Sequence, residues 1–308
     1  MPAEYFDRRA ELRVIGQIIT RDPIGRLMVQ DSNNQATAFP STQEDGSPGY
    51  RIQFTVDANT GGPPNPSEIS IYNLGPTSRS LFQTLNSRIE LRVGYGDEDL
   101  QLIFTGNIQR TRTEKVGPDY ITKINAADGL IAWQNTTVNQ SFGPGTTLIN
   151  AANSLSDLLN LSGLSTDFGG LPSKTYQSGI VLSGNAIQQL EKLITSENVE
   201  FSIQQETVIT LPAGTIRGNI NDAFVLSVDT GMIGIPQIGD NSMTVSSLLN
   251  PRLRPYSPVV IRSIFVNGIY RINKVVHKGD TFEGQFITEM ETDIARNDLG
   301  FPGTSNGA

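Results

Sequence analysis

Ile89-Glu90-Leu91-Arg92-Val93, followed by Leu102-Ile103-Phe104-Thr105-Gly106-Asn107-Ile108, alternates apolar with polar side chains. The same alternation runs through Arg51-Ile52-Gln53-Phe54-Thr55-Val56, Glu68-Ile69-Ser70-Ile71 and Tyr120-Ile121-Thr122-Lys123-Ile124. A period of two, with one apolar and one polar face, marks half-buried antiparallel strands. Turn chemistry separates them, at Gly94-Tyr95-Gly96-Asp97-Glu98-Asp99 and at Gly117-Pro118-Asp119. Only Pro76 to Leu85 reads as helix here, with proline in its first turn. Asn33 to Gly49 is polar and broken by Pro and Gly. Asn59 to Pro66 (NTGGPPNP) cannot continue a strand, because proline lacks the ladder donor. Both are expected to be loops, and loops of this kind carry contacts to partners.

Beyond about Leu130 the pattern changes. Leu148, Ile149, Ala152, Leu155, Leu158 and Leu159 fall at helical spacing, as do Ile187, Leu190, Leu193 and Ile194. These are amphipathic helices whose apolar stripes are core. With the strands Val199 to Ile203 and Thr207 to Leu211 they predict a small α+β domain. Sheet then returns, at Ala223 to Val228, Met243 to Ser247, Val259 to Phe265, Ile269 to Val276 and Glu283 to Glu291. Asn267-Gly268 reads as a two-residue hairpin turn and Gly279-Asp280 as the next turn. The expected division is 1–129 and 223–295 as β domains, 130–222 as the α+β domain, and 296–308 as a loose tail.

The two β parts share an order. Glu68–Leu74, a proline-led break, Ile89–Val93, Leu102–Arg110 and Tyr120–Ala127 are matched by Val245–Asn250, a second proline-led break, Val259–Phe265, Ile269–Val276 and Glu283–Glu291. Three chains that each carry two similar units would display six around an axis, a way to match threefold to sixfold symmetry.

The chain has 308 residues and a net charge of −8. That balance disfavours an extended grip on nucleic acid or an anionic membrane. No cysteine is present, which excludes disulfides, thiolate zinc sites and cysteine nucleophiles. The one histidine, His277, excludes His-rich metal sites; it is expected to be partly exposed at a strand end. Neither a signal peptide nor a membrane span is legible, which predicts a soluble chain made in a cytoplasm. No phosphate loop or nucleophile elbow occurs. Carboxylates cluster at Asp97, Glu98 and Asp99 and again at Glu289, Glu291 and Asp293, the pairing a glycoside or peptidoglycan hydrolase would need. The simpler reading is a solvated hairpin tip and one face of a strand. No cofactor or metal is expected. Trp133 is expected to pack where the first barrel meets the middle domain, which leaves few aromatics for a carbohydrate-binding adhesin.

Glu68-Ile69-Ser70-Ile71-Tyr72-Asn73-Leu74, then Ile89 to Gly96, then Ile103 to Ile108, resembles the baseplate hub proteins of contractile-tailed phages. Ser246 to Pro255 and Asn267 to His277 resemble the last domain of the same family. The resemblance implies two tail-tube-like antiparallel β-barrels flanking the α+β domain, and a structural, non-enzymatic virion protein assembled in the host cytoplasm. It implies a homotrimer that joins a sixfold tail tube to a threefold central spike and lines a DNA exit channel. Tail tube, spike, other baseplate proteins and the tape measure protein would be its partners, with no membrane and with DNA only in transit. An acidic channel wall would follow from the net charge. Interface candidates are Asn33, Glu44 and Asp45 in one loop, Asn59 and Asn65 in the next, and Asp97, Glu98 and Asp99 at the hairpin tip.

Overall fold

The computed structural model describes residues 7–21, 27–43, 45–96, 99–239 and 242–293, and only the backbone of 17–21 and 27–34. The fold is mainly β, built around three hydrophobic cores.

The chain opens with a long hairpin, β1 (Arg8–Arg21) and β2 (Leu27–Pro40), paired from Glu11 opposite Pro40 to Arg21 opposite Leu27. Ala10, Leu12 and Val14 of β1 are buried, an alternation that was present in the sequence. The expected loop Asn33–Gly49 is therefore corrected at its start, since β2 runs through Asn33 as far as Pro40. A polar segment holds strand geometry here because β1 supplies its ladder partners. Next come β3 (Ile52–Asn59), β4 (Pro66–Tyr72), helix α1 (Pro76–Gln83), β5 (Arg88–Tyr95), β6 (Gln101–Val116) and β7 (Asp119–Ala127). Pro66 is tolerated as the first residue of its strand. Strand β6 turns a corner. Up to Asn107 it pairs with β5, and from Asn107 onward with β7, with a bulge at Gln109. Gly106 permits the bend, since a Cβ there would lie 2.5 Å from the Ala127 carbonyl oxygen. The inward faces, including Ile69, Leu91 and Ile124, close on Leu81 and Phe82 of α1. The Phe82 ring stacks 5.2 Å from Phe39. Burying such a side chain contributes about 1.5–3 kcal/mol.

The middle segment holds α2 (Leu130–Asn135), β8 (Thr137–Phe142), α3 (Leu148–Leu161), β9 (Ser165–Phe168), β10 (Ile180–Asn185), α4 (Ala186–Thr195), β11 (Val199–Gln204) and β12 (Thr207–Pro212). Helix α3 starts at Thr147 and α4 at Asn185, whose side chains accept the Asn150 and Gln188 N–H groups. Their apolar stripes form the second core, with Phe201, Ile203 and Val208. Trp133 packs, half-buried, against that core.

The last segment holds β13 (Phe224–Leu226), β14 (Met232–Ile238), β15 (Ser242–Leu248), β16 (Pro258–Arg262), β17 (Asn267–Asp280) and β18 (Phe286–Asp293). Two expected turns move. Asn267 and Gly268 lie inside β17, opposite Arg262 and Ile261. The reversal belongs to Ser263–Val266, where the Ser263 hydroxyl accepts the N–H of Val266 at 2.8 Å. Gly279-Asp280 likewise ends β17 rather than forming a turn, and the Asp280 carboxylate accepts the N–H of Phe282 beyond it.

One sheet joins the first and last segments, in the order β14-β15-β18-β17-β3-β4-β7-β6-β5-β1-β2, with β16 also paired to β17. The first segment has β3-β4-β7-β6-β5 and the last β14-β15-β18-β17-β16: one strand order, used twice. Details coincide too. Strand β17 pairs with β16 up to Arg271 and with β18 from Ile272, with a bulge before Lys274, as β6 passes from β5 to β7 with a bulge at Gln109. At matching ladder positions Thr113 meets Thr122 (3.1 Å) and His277 meets Thr288 (2.9 Å). The two halves meet at a seam in which β17 pairs with β3, from Lys274 opposite Asn59 to Asp280 opposite Gln53.

Candidate assembly surface

The seam also defines what is missing elsewhere. Past its bulge, β17 is flanked by β18 on one side and β3 on the other. The corresponding part of β6, Arg110–Val116, has β7 on one side and no strand on the other among the described residues. Strand β3 has β4 and β17; its counterpart β14 has only β15 among the described residues. The sheet thus leaves two half-paired edges that match the two sides of the seam. Unpaired edges invite another strand. Ile233, Ile235 and Ile238 are exposed on β14, and Val116 on β6.

The outer face of β14 through β6 is open and charged. Arg112 and Lys123 flank Glu114, at 3.9 and 2.6 Å, and Lys278 meets Glu289 at 2.7 Å. The Lys123 ammonium holds the Glu114 carboxyl below its ordinary range. Glu289 is thus an ion-pair partner, and Asp293 accepts a hydrogen bond from Asn273. Glu289 and Asp293 therefore have partners on the neighbouring strand, whereas a hydrolase would set an acid against a base across a cleft.

A cavity of about 270 Å³ is lined by residues of the first, middle and last segments, among them Asn65, Asp128, Gln204, Arg217, Arg254 and His277. The turn between β11 and β12 fills one wall, with Gln205 and Glu206 both at positive φ. Asp128 accepts their backbone N–H groups at 2.5 and 2.7 Å. Burial pushes its carboxyl up to about 7 against those two hydrogen bonds. Glu206 is also raised by burial, although it reaches Arg88 at 2.7 Å. Arg254 donates to the Gln205 side chain and lies partly desolvated, its affinity for the proton lowered. His277 is a correction: it is fully buried in mid-strand, and burial first, then Arg254, lowers it to about 3. The apolar alternation of its strand, Ile272, Val275 and His277, places it inward.

The sequence-selected contact residues are not gathered at one place. The Asn33 side chain, Glu44, Asp97 and Glu98 lie outside the described residues. Asp45 is exposed, its carboxylate bound to the Ser47 N–H and hydroxyl and lowered by them. Asp99 lines a depression with Arg13, Arg92 and Arg254. Asn59 and Asn65 serve the chain itself: Asn65 is buried and donates to the Ile203 carbonyl, and Gln204 donates to the Asn59 carbonyl. The β6 and β14 edges were not selected; the signal for them lay in the repeat, once strand order was known. Among the described residues there is no group of three or more His, Asp or Glu able to hold a metal, and no helix long and apolar enough to cross a membrane.

Comparison with known proteins agrees with this architecture. Three solved structures share the fold. The 43 kDa tail protein of prophage MuSo2 from Shewanella oneidensis has a TM-score of 0.57 at 6% identity, over 79% of this chain and 97% of that one. A tail protein from Neisseria meningitidis MC58 has 0.57 at 10%, over 79% and 95%. The E. coli c3393 protein, a type VI secretion component described as similar to the T4 bacteriophage tail proteins gp27 and gp5, has 0.58 at 9%, over 82% and 75%. No curated protein matches by sequence. The family model described as baseplate hub gp41 matches residues 66–291, well over half of the chain. The chain therefore belongs to the baseplate hub gp41 family and is a structural protein of the phage tail baseplate, located in the virion.

Proposed function

We propose that this protein is a homotrimeric hub, assembled in the host cytoplasm, that joins the sixfold tail tube to the threefold central spike and surrounds the path by which DNA leaves. The observation that carries this reading is the strand order used twice with two unfilled edges. Three copies present six similar units, and a cyclic assembly lets each copy offer β14 to the next copy's β6. The three cores are read as three domains, with the two barrels forming the ring and the middle domain outside it. The loops carrying Asp45 and Asp99 are proposed contacts to tube, spike, tape measure or other baseplate proteins, and the role is structural rather than enzymatic.

The seam gives the expected register. Lys278 stands opposite Thr55 there, and the matching residues at the open edges are Glu114 and Gln237. Facing residues of an antiparallel pair have Cβ atoms about 4.5–5.5 Å apart, close enough for a disulfide after small adjustment. The chain has no cysteine of its own. Glu114→Cys with Gln237→Cys should give covalent trimers on non-reducing gels, and neither single variant should. A chain that stays monomeric by light scattering at high concentration, with no cross-link, would sink the proposal.

A further inference from the structure

The outer face of the joined sheet carries cations and carboxylates interleaved, strand by strand. Arg110, Arg112 and Glu114 alternate on β6, Lys274 and Lys278 on β17, Glu289 and Glu291 on β18. Register sets Lys274 opposite Glu291. The ion pairs Lys123–Glu114, Arg112–Glu114 and Lys278–Glu289 lie on this face. In each the carboxylate is at least as sheltered as its cation, 28% exposed for Glu114 against 69% for Arg112 and 42% for Lys123. Arg112 and Lys123 are thus more exposed than Glu114, while Lys278 and Glu289 are about equally exposed. Without the carboxylates this would be a basic surface of the kind that grips phosphates. Asp57 on β3 and Glu68 on β4 add two more carboxylates to the same face.

We infer that Glu114 and Glu289 act as charge-cancelling residues that keep this face from holding a polyanion, so that a nucleic-acid duplex can pass over it without being bound. This rests on the proposed hub, and takes this face of the joined sheet as the one turned toward its DNA path. The mechanism differs from simple repulsion. Arg112, Lys123 and Lys278 can keep their long apolar stems over the sheet while their charges are satisfied locally by Glu114 and Glu289. A passing phosphate would have to displace a carboxylate at close range to gain a contact.

The test is the full-length Glu114→Gln/Glu289→Gln variant, titrated into a fluorescent DNA duplex of arbitrary sequence. Anisotropy is followed at 50 and 200 mM salt. The parent chain should bind weakly or not at all at both. The variant should gain at least about tenfold in affinity at 50 mM salt. Freeing Arg112, Lys123 and Lys278 for three phosphate contacts predicts that roughly 40-fold is lost again by 200 mM. Asp222→Asn/Asp229→Asn makes the same change in net charge at exposed sites between β12 and β14. No gain in the first variant, an equal gain in this control, or tight binding by the parent overturns the inference. Binding is read on the chain whether or not it forms a ring. Failure of the cross-link with a gain in DNA binding would remove the hub geometry and leave the charge cancellation standing.

Discussion

The halves β3–β7 and β14–β18 repeat one strand order, but they finish their outer strands differently. Strand β3 lies between two neighbours and presents Gln53, Thr55 and Asp57 on the open face. Strand β14 has one neighbour, carries a bulge between Ile233 and Gln237, and exposes three isoleucines. The β3 edge, closed inside the chain, is polar; of the two edges left open, β14 is apolar and β6 is charged up to Val116. Where covalent continuity guarantees the partner, no apolar surface is needed to recruit it; where the partner must be found, apolar area supplies the affinity.

That contrast breaks most directly at the seam. A Cβ on Gly279 would lie 2.2 Å from the Phe54 ring. Gly279→Val should cost about 3 kcal/mol by overpacking, read as a lowered urea midpoint, whereas the same change at the matching position of the first half, Lys115→Val, should cost far less.

The buried titratable groups sharpen the comparison next. His277 stands where the first half has Thr113. Its folded pKa, about 3, is below the ordinary 6.5, so the unfolded chain binds the extra proton between those values. Its contribution is complete above about pH 6.5 and is lost as pH falls toward 3. Asp128 has the opposite sign. Raised to about 7, it favours the folded chain when protonated, and stability falls as pH rises from about 4 to 7. Over their shared window each group contributes a slope of about 1.4 kcal/mol per pH unit, of opposite sign, so the two nearly cancel between pH 4 and 6.5. His277→Thr should expose the falling slope and Asp128→Asn the rising one, in urea titrations at pH 4.5, 6.5 and 8. A profile that is the same in both variants would contradict the assignment.

The smallest effect on stability should come from the open edge. Ile235→Lys and Ile238→Lys should change unfolding by no more than about 0.5 kcal/mol, yet should abolish any self-association seen by light scattering.

Much of this fold was legible because its strands are half-buried. Ile89–Val93 and Glu68–Ile71 show their period directly, and α3 and α4 show theirs with their caps. Strand β2 was not legible, because its ladder partner lies in β1 and its polar residues carry no periodic signal. Asn267-Gly268 misled because a turn-forming pair is also tolerated inside a strand, and the Ser263 hydroxyl supplied the reversal instead. Asn65 looked like surface loop chemistry. Its burial depends on Ile203, distant in the sequence. The assembly edges were invisible for a similar reason: an edge is defined by the strand that is absent.

The seam has a mechanical consequence. Its ladder joins residues 53–59 to 274–280 by parallel rows of hydrogen bonds crossing between two strands. A pull along the strands loads those bonds together, in shear, and all must fail at once. A pull across the sheet opens them one after another, from the end inward, as a zipper. The joint between the two halves is thus stiff to axial load and weak to peeling, and the direction in which force arrives decides whether it holds.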